Sequence, residues 1–224
     1  MIFSSRSQHA QPEAHGSVAA GFGDRRAAVP PRVVTVRQVH GADVAVVDDL
    51  EPGEHAEVAA DALIVTRPGV LAAVKTADCV PILLLAAQGS DRWAAAVHAG
   101  WRGTAADVAG AAVADAVSRG HAPATLSAAI GPSIGPCCYE VGNEVAERFR
   151  ALGLGVIDGG VKPHVDLRQS NRALLIRAGL EPGEIELCAP CTRCEHDRFH
   201  SYRADPAGRG RQLSWIGWTG HACA

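Results

Sequence analysis

Three residues of types that bind transition metals lie at the ends of short apolar segments. They are His40, Cys79 and His98. Zinc binds imidazole and thiolate readily, and a catalytic zinc keeps three protein ligands and one open position. Spacing alone does not decide the matter, because these residues lie far apart and lack the short ligand pairs of a zinc finger. The alternative is a core cysteine and two histidines hydrogen-bonded at strand ends.

Three charged residues near these candidates could take part in chemistry. Arg102 lies in a Gly-Trp-Arg-Gly segment entering a predicted helix, where a guanidinium and backbone N–H groups would bind an anion such as phosphate. A surface ion pair with Asp107 is the alternative. Asp78 is a tentative catalytic residue that could instead orient its loop, because side chains adjacent in an extended segment point to opposite sides. Asp61 could cap a turn or act as an acid or base.

Five of the six other cysteines form two groups. One combines four potential ligands at zinc-like spacing, namely Cys188, Cys191, Cys194 and His196. Closed structural sites combine paired elements, whereas this run starts at a strand end, so we expect no second metal on its cysteines. The second group is the adjacent pair Cys137 and Cys138, which we expect to serve packing, since strain disfavours a disulfide between neighbours. A total of seven cysteines favours metal binding or catalysis over a disulfide framework.

Short strands followed by helices must position these residues. Val-rich segments bounded by Gly, Pro or Asp predict strands at 32–39, 43–47, 62–66, 70–75, 80–86, 93–98, 184–188 and 212–218. Apolar periodicity and capping residues predict helices at 104–120, 143–152 and 166–179, the first starting at the capping-box-like Thr104-Ala-Ala-Asp107. Helices and strands mix without strict alternation, which favours an α+β class. We expect a weakly structured segment at 1–31 and a single catalytic domain at 32–224.

Composition excludes some classes of function. The net charge is −3 and no basic run occurs, so the footprint of a nucleic-acid-binding protein is missing. Residues 1–20 lack the apolar core of a signal peptide, and the longest apolar run, 80–87, is too short to span a bilayer. We therefore expect a cytoplasmic protein with no membrane and no nucleic-acid partner.

Six motifs in order resemble the laccase-domain family, also called the peptidoglycan-editing-factor family, from about residue 38 to residue 212. They read QVHG, ADAL, TADCVP, VHAGWRGT, IGPSIGPCCYEVG and CTRCEHDRFHSYR. The resemblance implies a four-layer α/β/β/α arrangement around a central β-sandwich and a zinc site on His40, Cys79 and His98. It also implies phosphorolysis of adenosine, inosine and methylthioadenosine, with purine nucleoside and phosphate as partners, and deamination of adenosine.

The sequence departs from the family pattern at two places that shape the predicted pocket. Only Phe3-Ser-Ser-Arg6 remains of the usual Gly-rich opening segment, and the usual Phe-Phe-Ser-Tyr-Arg-Arg is Phe199-His-Ser-Tyr-Arg-Ala204, with His200 and Ala204 as the changed positions. Substrate choice is therefore less constrained by the resemblance than the metal site is.

Of three other functions weighed from the residues, one is rejected and two stay open. A multicopper laccase needs several His-x-His pairs, and none occurs among the ten histidines, so we reject that mechanism but keep a single copper in place of zinc. A cysteine hydrolase would use Cys79 as nucleophile and His98 as base, and would suit an amidase that edits peptidoglycan precursors. A non-catalytic binding protein is the remaining alternative.

Overall fold

The computed structural model describes residues 18–86, 92–188 and 190–219, which contain two large sheets and four helices. The strands are β1 Val18–Phe22, β2 Val33–Arg37, β3 Val44–Val46, β4 Gly53–Ala59, β5 Ala62–Val65, β6 Leu71–Thr76, β7 Val80–Ala86, β8 Ala94–Ala99, β9 Leu126–Ile130, β10 Val156–Ile157, β11 His164–Val165, β12 Ile185–Leu187 and β13 Gln212–Trp218. The helices are α1 Trp101–Ala105, α2 Val108–Ser118, α3 Asn143–Ala151 and α4 Leu167–Arg177.

The first sheet has five strands in the order β1-β13-β6-β2-β4. Its edge strand β1 lies within the segment expected to be weakly structured, so that expectation is wrong for Val18–Phe22; residues 1–17 lie outside the described residues. The strand forms because β13, almost two hundred residues away, pairs with it antiparallel. Gly21 allows this pairing, since a Cβ there would lie 2.6 Å from the indole of Trp215. Local sequence pattern does not contain such a long-range partner.

The second sheet has six strands in the order β12-β9-β7-β8-β5-β3, and it packs on the first. Successive side chains of a strand point to opposite faces. In β7, Leu83 and Leu85 pack between the two sheets, whereas Ile82 and Leu84 pack on the opposite face against the helices. The apolar run of β7 is therefore continuous because both of its faces are buried.

The longer helices α2, α3 and α4 cover the outer face of the six-stranded sheet. Phe149 of α3 and Leu175 of α4 are fully buried there. The mixed α/β single domain with a central sandwich is confirmed. Of the four layers that the resemblance implies, the described residues form three, because the buried residues on the outer face of the five-stranded sheet come from that sheet itself.

The predicted helix at 104–120 is two helices. Helix α1 ends at Ala105, and α2 begins after Asp107, whose backbone is left-handed (φ 58°) and whose side chain accepts a hydrogen bond from the Gly110 N–H. Asp107 is thus the N-cap, and Thr104 is buried and bonded to Asn171 instead. No helix among the described residues has the length and apolar character needed to cross a bilayer.

Candidate metal centre and cleft

His40, Cys79 and His98 meet at one edge of the sandwich. His40 follows β2, Cys79 lies in the turn between β6 and β7, and His98 is near the end of β8. Their potential ligand atoms all lie within 4.8 Å of one another. Atoms bound to one zinc at 2.0–2.3 Å are at most about 4.6 Å apart, so small adjustments suffice for all three to share an ion. The strand ends thus bring together residues that the chain separates widely.

Asp61 holds two of these ligands in place. Its Oδ1 accepts hydrogen bonds from His98 Nδ1 at 2.7 Å and from the His40 backbone N–H at 3.0 Å, and its Oδ2 accepts from the N–H groups of Val39 and Gly41. With Nδ1 of His98 engaged, Nε2 is the nitrogen available to a metal or to Cys79. Carboxylates in this outer position fix the tautomer and orientation of a ligating histidine. From the sequence, Asp61 could either cap a turn or act as an acid or base. Its four hydrogen bonds show that it holds the His98 ring and the backbone of residues 39–41 in position.

The electrostatics of the site favour a thiolate. Burial opposes ionisation of Cys79, but hydrogen bonds with His40 and His98 outweigh it and lower the pKa of Cys79 to about 6. Burial also opposes protonation of His98, but Asp61 and Cys79 raise its pKa to about 9. Thiolate is the form in which cysteine binds a metal, and a metal on the imidazole would replace its proton.

The backbone around the ligands leaves no spare room. His40 has a left-handed backbone (φ 61°), which is uncommon outside glycine and is held here by the hydrogen bonds to Asp61. A Cβ on Gly100 would lie 2.9 Å from Cys79 Sγ and 3.1 Å from Cδ2 of His40. Gly100 is therefore part of the site, a role that sequence analysis missed although the residue lies in a recognised motif.

The group formed by His40, Cys79 and His98 opens into a basic cleft of about 660 Å³. Five cationic side chains line it, namely Arg37, Lys75, Arg102, Arg203 and Arg211. The lining carboxylates are Glu54 and Asp78, and Glu54 forms an ion pair with Lys75. The excess of positive charge in a concave site raises the local concentration of anions. Of these five cationic residues, the sequence had indicated only Arg102.

Arg102 lines this cleft, but the helix dipole contributes little to it. Helix α1 has five residues, too few for the aligned dipoles that make a helix N-terminus an anion site. The Arg102 guanidinium is exposed and stacks on Trp101, 4.5 Å from the ring centroid. The ion pairs of the described residues do not include one with Asp107. Any anion site here rests on the cationic side chains of the cleft, and the expected contribution of a helix dipole is wrong.

Asp78 is tied to the loops that frame the cleft. Its carboxylate accepts hydrogen bonds from Thr192 Oγ1 at 2.7 Å and from the Arg203 backbone N–H at 2.6 Å. Its own backbone is left-handed (φ 87°), and its carbonyl accepts from the Ile134 N–H. Both carboxylate oxygens are thus engaged. These contacts match the loop-orienting alternative for Asp78.

Tyr139 is a further lining residue whose role the sequence did not indicate. It is half-buried in the cleft wall, and the Arg203 guanidinium lies 5.2 Å from its ring centroid. Burial, together with the negative charges of Cys79 and Asp78, raises the pKa of Tyr139 to about 12. Its phenol is therefore a neutral hydrogen-bond donor near neutral pH.

The cysteines outside this site form a different group from the one that their spacing in the sequence suggested. Cys191 and Cys194 lie together with Cys137 and Cys138, and all four sulfurs are within 4.8 Å of one another. Cys188 is not a member of that group. The described residues thus hold two groups of three or more potential metal ligands, and neither is the multi-histidine assembly of a multicopper oxidase.

Comparison with known proteins identifies the family to which this architecture belongs. The family model described as multi-copper polyphenol oxidoreductase laccase matches residues 18–219. The chain belongs to this family. It is 39% identical over 196 residues to an adenosine deaminase, RL5, of an unknown prokaryotic organism, with 82% of this chain and 74% of that protein aligned. It is 38% identical over 206 residues to the purine nucleoside phosphorylase YlmD of Geobacillus stearothermophilus, with 84% and 74% aligned.

The fold agrees with that membership. The crystal structure of YlmD from Geobacillus stearothermophilus superposes with a TM-score of 0.82 at 30% identity, and the match covers 94% of this chain and 98% of that one. The likeness therefore extends over both sheets and the helical layer, as the motifs of the sequence indicate. Relatives of this family carry names of purine-nucleoside enzymes.

Proposed function

We propose that this protein is a zinc-dependent purine nucleoside phosphorylase. It would convert adenosine, inosine and methylthioadenosine to the free base and the corresponding ribose 1-phosphate, and deaminate adenosine at the same site. The observation that carries the proposal is the meeting of His40, Cys79 and His98 in a cleft whose wall includes Arg102. The names of the two relatives support purine nucleosides as the substrate class.

The residues present fit a zinc ion. Two imidazoles and one thiolate form a donor set that zinc accepts in catalytic sites, and Asp61 supplies the outer partner of His98. Gly100 leaves the space that the sulfur and the His40 ring occupy. Zinc on three protein ligands supplies Lewis acidity beside one open position. Copper would also bind this donor set, so metal analysis must name the ion.

The side chains of the cleft suit the two halves of phosphorolysis. The glycosidic C–N bond breaks, a C–O bond to phosphate forms, and the departing base takes up a proton. The Arg102 guanidinium would hold phosphate against the sugar carbon, because a planar cation binds phosphate through paired donors. Trp101 and Tyr202 line the cleft, and the exposed Tyr202 ring could stack on a purine. The Tyr139 phenol would donate a hydrogen bond to the base as it departs with negative charge.

The experiment is a panel of nucleosides incubated with the purified protein, with and without phosphate. We expect free base and ribose 1-phosphate from adenosine and inosine only when phosphate is present, and loss of turnover after removal of metal by a chelator. If the yield of free base were the same with and without phosphate, and with and without chelator, the phosphorylase assignment would be wrong.

A cysteine hydrolase is the second candidate, and one observation favours it. Cys79, His98 and Asp61 form a chain of hydrogen bonds in the order nucleophile, base and orienting carboxylate. An amidase acting on a peptidoglycan precursor would use this chain without metal. Release of amine from such a substrate by chelator-treated protein would favour this candidate over the phosphorylase.

A further inference from the structure

We propose that Cys137, Cys138, Cys191 and Cys194 form a second metal site, a closed tetrathiolate site for zinc. The four sulfurs all lie within 4.8 Å of one another, on two loops distant in sequence. This proposal goes beyond the activity above, because the cluster lies outside the residues that line the cleft. It also replaces the expectation that Cys191 and Cys194 only pack against their surroundings.

The spacing of the sulfurs fits one tetrahedral ion. Four thiolates at about 2.3 Å from zinc place the sulfurs about 3.8 Å apart. Here the Sγ atoms of Cys137 and Cys138 are 3.7 Å apart, those of Cys137 and Cys194 are 3.7 Å apart, and those of Cys138 and Cys194 are 3.4 Å apart. Adjacent side chains diverge in a strand, but residues 136–138 form a turn, which lets the neighbouring sulfurs share one side.

The loops that carry the cysteines are held together by the backbone. Ser133 and Cys191 form a parallel bridge, and the Thr192 N–H donates to the Ser133 carbonyl at 3.1 Å. Each of the two loops therefore supplies two cysteines, as the paired elements of a closed structural site do. The spacing in the sequence indicates only the loop that carries Cys191 and Cys194. Cys188, at the end of β12, lies on the same segment but outside the cluster.

Backbone donors favour a thiolate at Cys191, whereas burial raises the pKa of Cys137 and the neighbouring thiols raise the pKa of Cys194. Burial opposes ionisation of Cys191, but the N–H groups of Gly135, Cys194 and Arg193 donate to its sulfur, and its pKa falls to about 7. A Cβ on Gly135 would lie 2.9 Å from Arg168 Nη2 and 3.2 Å from Cys137 Sγ, so a guanidinium borders the site. A dication would allow the remaining thiols to ionise together, which four sulfurs alone resist.

A metal here would fix the frame of the cleft. Tyr139 follows Cys138 directly, and Thr192 follows Cys191 and donates to Asp78, the neighbour of Cys79. The tetrathiolate site would thus hold two loops that contribute to the cleft wall, without contact with the substrate. The role of the tetrathiolate site is structural and does not depend on which reaction the cleft performs.

The test is metal analysis of the full-length protein purified under reducing conditions with zinc supplied. We expect about two zinc ions per chain in the wild type and about one less in the double variant Cys138→Ser/Cys194→Ser. Cys188→Ser is the matched control, since it removes a thiol from the same segment, and it should keep the full content. Loss of the same zinc in Cys188→Ser, or fewer than seven thiols titrated in the unreduced, chelator-treated and unfolded protein, would overturn the proposal.

Cobalt binding is a second measurement, and it requires neither that the double variant folds nor that the proposed function is correct. Cobalt replaces zinc in thiolate sites, and its thiolate-to-metal absorption grows with the number of sulfur ligands. His40→Ala removes a ligand of the cleft site only, so this variant should still bind about one cobalt ion with the intense bands of a tetrathiolate site. A His40→Ala protein without metal or without those bands would contradict the second site, whatever the activity of the cleft.

Discussion

Replacement of Asp61 by asparagine should weaken metal binding at the cleft, although Asp61 touches no metal itself. The carboxylate is fully buried and accepts four hydrogen bonds, from His98 Nδ1 and from three consecutive backbone N–H groups of residues 39–41. Asparagine keeps the shape of the side chain but turns one acceptor oxygen into an NH₂ group. Each oxygen serves two donors, so either orientation of the amide leaves two donors facing an NH₂.

The expected magnitude follows from those contacts. A buried donor left without its acceptor costs about 1–3 kcal/mol, so two of them lower the free energy of unfolding by about 2–6 kcal/mol. Loss of the outer partner of a ligating histidine reduces metal affinity by about 10- to 100-fold, equivalent to about 1.4–2.7 kcal/mol. Both effects should be present, because Asp61 supports the His98 ring and the His40 turn together.

Competition with a chromophoric chelator measures the affinity, and urea unfolding measures the stability. Asp115→Asn is the control: Asp115 also accepts from a ring N–H, Trp93 Nε1 at 2.8 Å, but lies outside the cleft. That variant should lose some stability and keep its cleft affinity for metal. Unchanged affinity in Asp61→Asn would refute the claim that Asp61 positions the metal ligands.

Three further variants test separate parts of the structure. Gly100→Ala places a Cβ 2.9 Å from Cys79 Sγ and should reduce metal content, as read by metal analysis, whereas Gly183→Ala, with open space around the added atom, should not. Arg102→Ala should raise the KM for phosphate about tenfold or more with metal content unchanged, and an unaltered KM would remove it from the anion site. Phe149→Ala should lower the free energy of unfolding by about 3–5 kcal/mol in urea, because the ring is fully buried between the helical layer and the sheet.

The sequence pattern best predicted those strands whose own residues favour extended structure. The apolar run 80–86 is β7 residue for residue, and 212–218 is β13. Strand β9, Leu126–Ile130, was missed because its small residues give little strand signal, and it is held by β7 and β12 on either side. Strand β4, Gly53–Ala59, is mostly polar and exposed and depends on pairing with β2. Pairing partners far along the chain carry no local signature.

The same distinction holds for the candidate site. His40, Cys79 and His98 were selected because each lies at the end of a predicted apolar segment and because the family resemblance implies a zinc site on them. In the structure their potential ligand atoms lie within 4.8 Å of one another. The role of Asp61 depended on which donors the fold brings to it, and no spacing in the sequence contains that information. The grouping of Cys191 and Cys194 with Cys137 and Cys138 was not predicted for a similar reason, since their two loops are joined by the bridge between Ser133 and Cys191.

The proposed function depends on one catalytic metal held by His40, Cys79 and His98. His40→Ala tests it most directly, with zinc content and phosphate-dependent cleavage of inosine measured on the same preparation. His40 is exposed and is neither the nucleophile, the base nor the orienting carboxylate of the Cys79–His98–Asp61 chain. A thiol mechanism would therefore keep part of its turnover without His40, although the pKa of Cys79 would rise. We expect the variant to lose about one zinc ion per chain and its turnover together. Turnover retained in a variant whose cleft no longer binds zinc would contradict this expectation.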